Sequence, residues 1–218
     1  DHQVRHQVRV PTPQGNYAAT IETLVTLVHE AERGVGSVCS VGIGIPGTLS
    51  PDHGRVKNAN STCLIGKDLK GDLEQRLARQ LRIANDADCF ALSEAQDGAG
   101  AGAPSVFGVI IGTGCGGGLV VRGQLVGGPN GITGEWGHNP LPWRRPDDGP
   151  SRPCYCGKHD CIETFVSGPG LQQTLLENLG HPISQDALTG ERTAAIQAAL
   201  DQHADQVARG LAQVINIL

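Results

Sequence analysis

An α/β fold follows from two features of the sequence. Strand-like and helix-like runs alternate through residues 16–97, and a Gly-rich pair of apolar strands is followed, near the end, by a long amphipathic segment. The first run, NYAATIETLVTLVHEAERG (16–34), sets Ala18, Ile21, Leu24, Val25 and Val28 at helical spacing. VCSVGIGIPG (38–47) is a β-rich run ending in a Pro-Gly turn. A helix is expected over about 71–80 (GDLEQRLARQ), then the strand LRIAN, then a helix from about Asp88 to Asp97. DGAGAGAPS (97–105) is the one obvious hinge and divides the chain into lobes 1–104 and 105–218. Past it, VFGVIIGTGCGGGLVVRGQLVGG reads as two strands joined by a Gly-rich turn, a hairpin rather than a βαβ unit. From about Thr193 to Leu218 the pattern is one helix, with Gly210 a tolerated interruption.

Charge and cysteine usage narrow the partners. A net charge of −5 with Lys and Arg evenly scattered leaves no basic stripe, which argues against nucleic acid. No apolar run reaches the ~20 residues of a membrane span, and the opening DHQVRHQVRV has no signal-like apolar stretch, so a soluble protein is expected. Lacking Met, residue 1 is not expected to be the natural start. Seven cysteines make a poor disulfide framework, which points to a reducing cytoplasm. Cys39, Cys63, Cys89 and Cys115 lie apart among small and apolar residues and are expected to serve as core hydrophobes.

The other three, in CYCGKHDCIE (154–163), form a cluster. Cys154, Cys156 and Cys161 can bring three sulfurs to one point, leaving a tetrahedral Zn²⁺ site one ligand short. His159 lies inside the knuckle, and His138, in TGEWGH, would tie a separate loop to it; free or disulfide-linked cysteines are the other reading. IANDAD (83–88) ends a strand in polar residues ahead of a helix, at the edge where α/β proteins place ligands. Asp86 there either accepts a proton from a substrate hydroxyl or caps the helix. IIGTGCGGG (110–118) is neither a Walker A loop nor a Rossmann fingerprint. Its turn either offers amides and the Thr113 hydroxyl to phosphate or is a plain hairpin turn.

Taken in order, IPGTLSP, KNANST, ANDAD, GTGCGGG, GEWGHNPLPW and CYCGKHDCIE resemble the ROK family of sugar kinases and related repressors, in particular its fructokinase-like members. The resemblance covers essentially the whole chain. It implies an actin-like, hexokinase-type (ribonuclease H-like) fold of two α/β lobes that binds a hexose and ATP with Mg²⁺, forms a homodimer, and phosphorylates most naturally fructose to fructose 6-phosphate. Glucose, mannose or N-acetylglucosamine as substrate, or a sugar-sensing repressor-type module, are the alternatives. By the same resemblance Asp86 is the general base. Gly47, Asn85, Asp86, Glu135, His138 and Glu163 border the sugar, while Gly112, Thr113 and Gly114 hold ATP phosphates. His138, Cys154, Cys156 and Cys161 hold a structural zinc. Asp160 stands where the family knuckle has Gly, which suits a left-handed backbone that Asp adopts more readily than most residues. The family's Asp-x-Gly-x-Thr loop and its later adenosine loop are not in these residues, so the chain is expected to be an internal piece of a longer kinase.

Overall fold

The computed structural model describes residues 3–59, 61–184, 186–190 and 192–218. It contains two compact units, Asp1–Cys89 with Gly127–Ile132, and Phe90–Val126 with Thr133–Leu218. In the first, helix α1 (Tyr17–Val35) begins where the Asn16 side chain accepts the Ala19 N–H at 3.0 Å. It stops at Gly36, whose φ of 73° turns the chain while its N–H reaches the Glu32 carbonyl. Strand β1 (Gly42–Ile45) leads through a tight turn into β2 (Thr48–Leu49), which pairs antiparallel with β3 (Val56–Lys57). Helix α2 (Leu69–Leu77) is capped by Asp68 and buries Leu69, Leu73 and Leu77, one face at i, i+4 spacing. Each such leucine contributes about 1.5–3 kcal/mol on burial. α2 forms the crossover that lets β4 (Arg82–Asn85) pair parallel to β1, with Ile45 beside Asn85. Ile21 and Val25 of α1, with Ile45, Val56 and Leu81, complete this core.

Helix α3 (Asp86–Gln96) leaves β4 without a loop. In the second unit β5 (Ser105–Ile111) and β6 (Cys115–Val121) pair from Ser105↔Val121 to Ile111↔Cys115, closing on Gly112–Gly114. A two-residue turn, Arg122 and Gly123, both at positive φ, then adds β7 (Gln124–Leu125), as the twist of a hairpin favours. The helices are α4 (Glu163–Val166), α5 (Gly168–Leu179), α6 (Asp186–Thr189) and α7 (Ala194–Ile215). The Thr193 hydroxyl accepts the Ile196 N–H and starts α7. Trp136, Leu141, Ile162, Phe165 and Val166 form the core here, with Val207, Leu211 and Val214 of α7 packed on it.

The structure corrects several expected boundaries. The 38–47 strand shrinks to Gly42–Ile45, because the Cys39 N–H is taken by the Glu32 carboxylate rather than a strand partner. α2 starts at its Asp68 cap and ends where Ala78 turns left-handed, not over 71–80. The units part inside α3, between Cys89 and Phe90, not at 104/105. The reason is local: β5 lies so close to α3 that a Cβ on Gly108 would sit 2.8 Å from the Ala91 Cβ. Of the four scattered cysteines only Cys115 is a core residue; Cys63 is half-buried, and Cys39 and Cys89 are exposed. Among the described residues no helix is long and apolar enough to cross a membrane.

Candidate functional site

Gly47, Asn85 and Asp86 come together in the first unit. The Asn85 carbonyl oxygen Oδ1 accepts the N–H groups of Ala87 (2.8 Å) and Asp88 (3.2 Å), so Asn85 supplies the cap of α3. Its Nδ2 donates to the Gly47 carbonyl at 2.9 Å, fixing the β1–β2 turn to the end of β4. Gly47 sits at φ +91°, and a Cβ there would stand 2.6 Å from the Lys57 carbonyl oxygen, so the turn requires glycine. Asp86 is exposed; Oδ1 accepts its neighbour's Ala87 N–H at 2.8 Å, and Oδ2 has no protein partner among the described residues. The two readings of Asp86 thus separate, because the capping work falls mainly to Asn85. Burial, and then the adjacent Asp86 charge, raise the Asp88 carboxyl above its ordinary range.

The cysteine cluster lies in the second unit. Donor atoms of His138, Cys154, Cys156 and Cys161 all lie within 4.8 Å of one another. His138 Nδ1 is 3.5 Å from Cys154 Sγ, and Cys156 Sγ is 3.6 Å from Cys161 Sγ. A tetrahedral zinc with arms of about 2.3 Å has ligand edges of about 3.8 Å, so one imidazole nitrogen and three sulfurs at these spacings fit that ion. A disulfide would need sulfurs at about 2.05 Å. His159 forms an isolated bridge with Pro153 and takes no part in the donor group. Asp160 is left-handed at φ 57°, and its carboxylate accepts from Arg152 N–H (2.8 Å) and Ser151 Oγ–H (3.1 Å), contacts that a glycine could not make. Backbone bonds also join the loops: Leu141 N–H to Asp160 O at 2.8 Å and Ile162 N–H to Asn139 O at 2.9 Å.

The GEWGH loop lies on β6 backbone against backbone. A Cβ on Gly134 would meet the Gly117 carbonyl oxygen at 2.1 Å, and one on Gly137 the Cys115 carbonyl oxygen at 2.2 Å. Trp136 Nε1–H donates to Gly116 O at 2.8 Å, and its ring reaches Gly210 of α7, where a Cβ would be 3.0 Å from Cζ3. It is the loop's own Gly134 and Gly137 that this seat requires to be glycine, whereas a Cβ on Gly117 would meet the Phe107 ring and the Gly108 carbonyl oxygen of β5; Gly112–Gly114 form the turn. Gly112 is committed within the protein: its N–H donates to Gly114 O and its carbonyl accepts the Gly168 N–H at 2.7 Å. The N–H groups of Thr113 and Gly114 make no hydrogen bond among the described residues. Glu163, first residue of α4, reaches this turn, Oε2 accepting the Cys115 N–H at 2.8 Å. Burial, with the Glu163 charge, pushes the Cys115 thiol up to about 12, which rules it out as a thiolate nucleophile. Glu135 Oε2 and His138 Nε2 stand 4.0 Å apart.

Two residues here escaped the sequence reading. Arg152, 6 % exposed, donates to the carbonyls of Thr164 and Gly170, to Thr174 Oγ1 and to Glu177, and lies 4.5 Å over the Phe165 ring. It pins α4, and with it Glu163, to α5. Nothing in the sequence marks this arginine as buried. Tyr155 brings its hydroxyl to 2.9 Å from His138 Nε2, its ring edge-on to the imidazole; its place between two sulfur ligands was the clue.

A profile of the ROK family matches residues 1–218. An N-acetyl-D-glucosamine kinase from Pectobacterium atrosepticum is 49% identical over 170 residues, 76% of this chain and 56% of that protein. The chain spans about half the length of the first curated relatives it matches. The crystal structure of a ROK hexokinase from Thermus thermophilus superimposes with a TM-score of 0.79 at 29% identity, over 96% of this chain and 69% of that one. A ROK family glucokinase from Streptomyces griseus, in complex with glucose and AMPPNP, gives 0.75 at 25% identity over 96% and 71%. The fold is thus the actin-like sugar-kinase type expected. The expected leaning to fructokinase is corrected: these relatives carry the names of N-acetylglucosamine kinase, hexokinase and glucokinase.

Proposed function

Because this chain belongs to the ROK family, we propose that it carries the sugar-binding and acid–base part of an ATP-dependent kinase whose acceptor is N-acetylglucosamine. One observation carries the reading: Asn85 takes the cap of α3, so Asp86 stands at the carboxyl end of β4 with a carboxylate oxygen to spare. Asp86 would take the proton from the sugar hydroxyl as that oxygen attacks the γ-phosphorus of ATP. The Thr113 and Gly114 amides would meet phosphate oxygens, and Gly112, being committed, would shape the turn rather than bind. Glu135 and Glu163 would accept sugar hydroxyls, since each carboxylate forms strong charge-assisted bonds. Asn85 is left with one amide hydrogen for a sugar oxygen. Mg²⁺ would neutralise phosphate charge. A zinc on His138, Cys154, Cys156 and Cys161 would brace the loop and knuckle without entering the reaction. The acetamido sugar is favoured by the names of the curated relatives, and a cytoplasmic homodimer is the setting the family resemblance suggests.

The test is coupled ADP release by the full-length gene product against N-acetylglucosamine, N-acetylmannosamine, glucose, mannose and fructose. N-acetylglucosamine should show the highest kcat/KM. Asp86→Asn should keep sugar binding and lower kcat by roughly 10²- to 10⁴-fold. Sugar binding without turnover by the wild type would make the protein a sensor instead, and a lead for fructose would overturn the substrate assignment.

A further inference from the structure

Oxidation of a thiolate requires access, so a cysteine metal site is as durable as its most exposed sulfur. In this knuckle the three cysteines are not equivalent: Cys154 and Cys161 are 8% and 1% exposed, while Cys156 is open to solvent. Cys156 Sγ stands 3.6 Å from Cys161 Sγ, whereas Cys154 Sγ is turned to His138 Nδ1 at 3.5 Å. The backbone between Cys156 and Cys161 doubles back, with Gly157 at φ 86° and Asp160 at φ 57°. Bonds from Cys154 N–H to Lys158 O (2.8 Å) and from Gly157 N–H to Cys154 O (3.0 Å) hold that course. A disulfide of about 2.05 Å therefore needs only a short approach of two side chains, not a refolding of the loop.

We propose that Cys156 and Cys161 are a site of reversible oxidation, forming a disulfide when a peroxide reaches the knuckle. The accessible Cys156 thiolate takes OH from hydrogen peroxide as the O–O bond breaks and hydroxide leaves, which gives a sulfenic acid. The Cys161 thiolate then attacks that sulfur, and the sulfenic oxygen departs as water once protonated. In sum two thiolates, one hydrogen peroxide and two protons give one disulfide and two waters; the sulfurs lose two electrons and the peroxide gains them. His138 Nδ1 and Cys154 Sγ alone remain for a metal that needs four ligands, so the site loses its zinc. The bonds from Leu141 N–H to Asp160 O and from Ile162 N–H to Asn139 O are untouched, which keeps the loop in place for the metal to rebind once a thiol has reduced the pair. The inference rests on the zinc reading above and adds the condition under which that brace is withdrawn.

The test treats the full-length, zinc-loaded protein with one molar equivalent of hydrogen peroxide, following zinc with a chelating dye and the thiols by peptide mass spectrometry. A loss of about 2 Da should map to peptides linking Cys156 to Cys161, with zinc released in step and both changes reversed by dithiothreitol and added zinc. Cys156→His offers a fourth ligand without the exposed sulfur and should hold its zinc through the same treatment; should that variant take up no metal, the mapping of the wild type decides alone. Linkage of either cysteine to Cys154 or to a second chain would overturn the proposal. So would oxidation that leaves the zinc bound, or oxidation of Cys156 that no thiol reverses. A protein that takes up no zinc would overturn the zinc reading and this proposal together, while turnover of N-acetylglucosamine decides the kinase reading independently.

Discussion

Replacing Arg152 with Met tests whether a buried cation holds the candidate sugar carboxylate in place. The guanidinium makes four hydrogen bonds, at 2.8 Å to Thr164 O, 3.1 Å to Gly170 O, 3.0 Å to Thr174 Oγ1 and 2.7 Å to Glu177 Oε2. Met keeps an unbranched apolar stem against Phe165 and leaves those acceptors without their donor. Breaking a buried ion pair from one side costs about 3–5 kcal/mol. The Glu177 side chain is 22% exposed and can rehydrate, which favours the lower end, about 3 kcal/mol. For a protein of this size about 2–4 °C is lost per kcal/mol, so melting should fall by about 6–12 °C. Because Thr164 follows Glu163 directly, the sugar KM should rise as well. Arg152→Lys should lie between the two proteins, keeping the charge and losing the fork. Circular dichroism against temperature is the assay. A fall of less than about 2 °C for Arg152→Met would refute the claim that this cation locks α4 to α5.

Purified protein should hold about one zinc per chain, and Cys156→Ser should lower that content and weaken sugar binding without unfolding the loop, since two backbone bonds still tie it to the knuckle; full zinc retention measured by atomic absorption would contradict the site. Gly134→Ala puts a Cβ 2.1 Å from Gly117 O at φ +92° and should unseat the loop, seen as a red-shifted Trp136 fluorescence with lost sugar affinity; an unchanged spectrum would count against the backbone seat. His203 is held below its ordinary 6.5 by burial, so the folded chain keeps it neutral while the unfolded chain takes up a proton. Its stabilising share is therefore present above about pH 6.5 and lost as pH falls through the lowered folded value; His203→Gln should flatten the melting temperature between about pH 5 and 7, and an unaltered pH profile would show that this group is not responsible.

The sequence showed best what local chemistry determines. Asn16 and Thr193 announce the starts of α1 and α7, the hairpin is legible from its apolar runs, and Asp160 takes the backbone that its place in the knuckle implied. Asn85 and Asp86 were indistinguishable on paper because either can cap a helix; in the structure Asn85 Oδ1 accepts the Ala87 and Asp88 N–H groups, and the bond from Asn85 to Gly47, across 38 positions, holds that side chain in place. GCGGG looked like a phosphate turn because glycine has two uses, close approach of a ligand and close approach of another strand of the same protein. Gly117 serves the second, since a Cβ there would stand 2.8 Å from the Gly108 carbonyl oxygen of β5. Gly210 was passed over as a tolerated interruption, though it is where the Trp136 ring meets α7. The burial of Arg152 rests on partners 12 to 25 residues away, and no pattern along the chain encodes that.

The Glu163 carboxylate, with one oxygen on the Cys115 amide, has a thermodynamic consequence. A ligand that draws this carboxylate toward itself loosens the Gly112–Gly114 turn, and a ligand that stiffens the turn holds the carboxylate ready. Such an influence is necessarily mutual, because two binding equilibria that share one group change each other by the same factor. Its ceiling is the net worth of the shared bond, about 1.5–3 kcal/mol for an amide donating to a charged group. Occupancy at either place can therefore alter affinity at the other by about a hundredfold at most, in whichever direction the carboxylate is pulled.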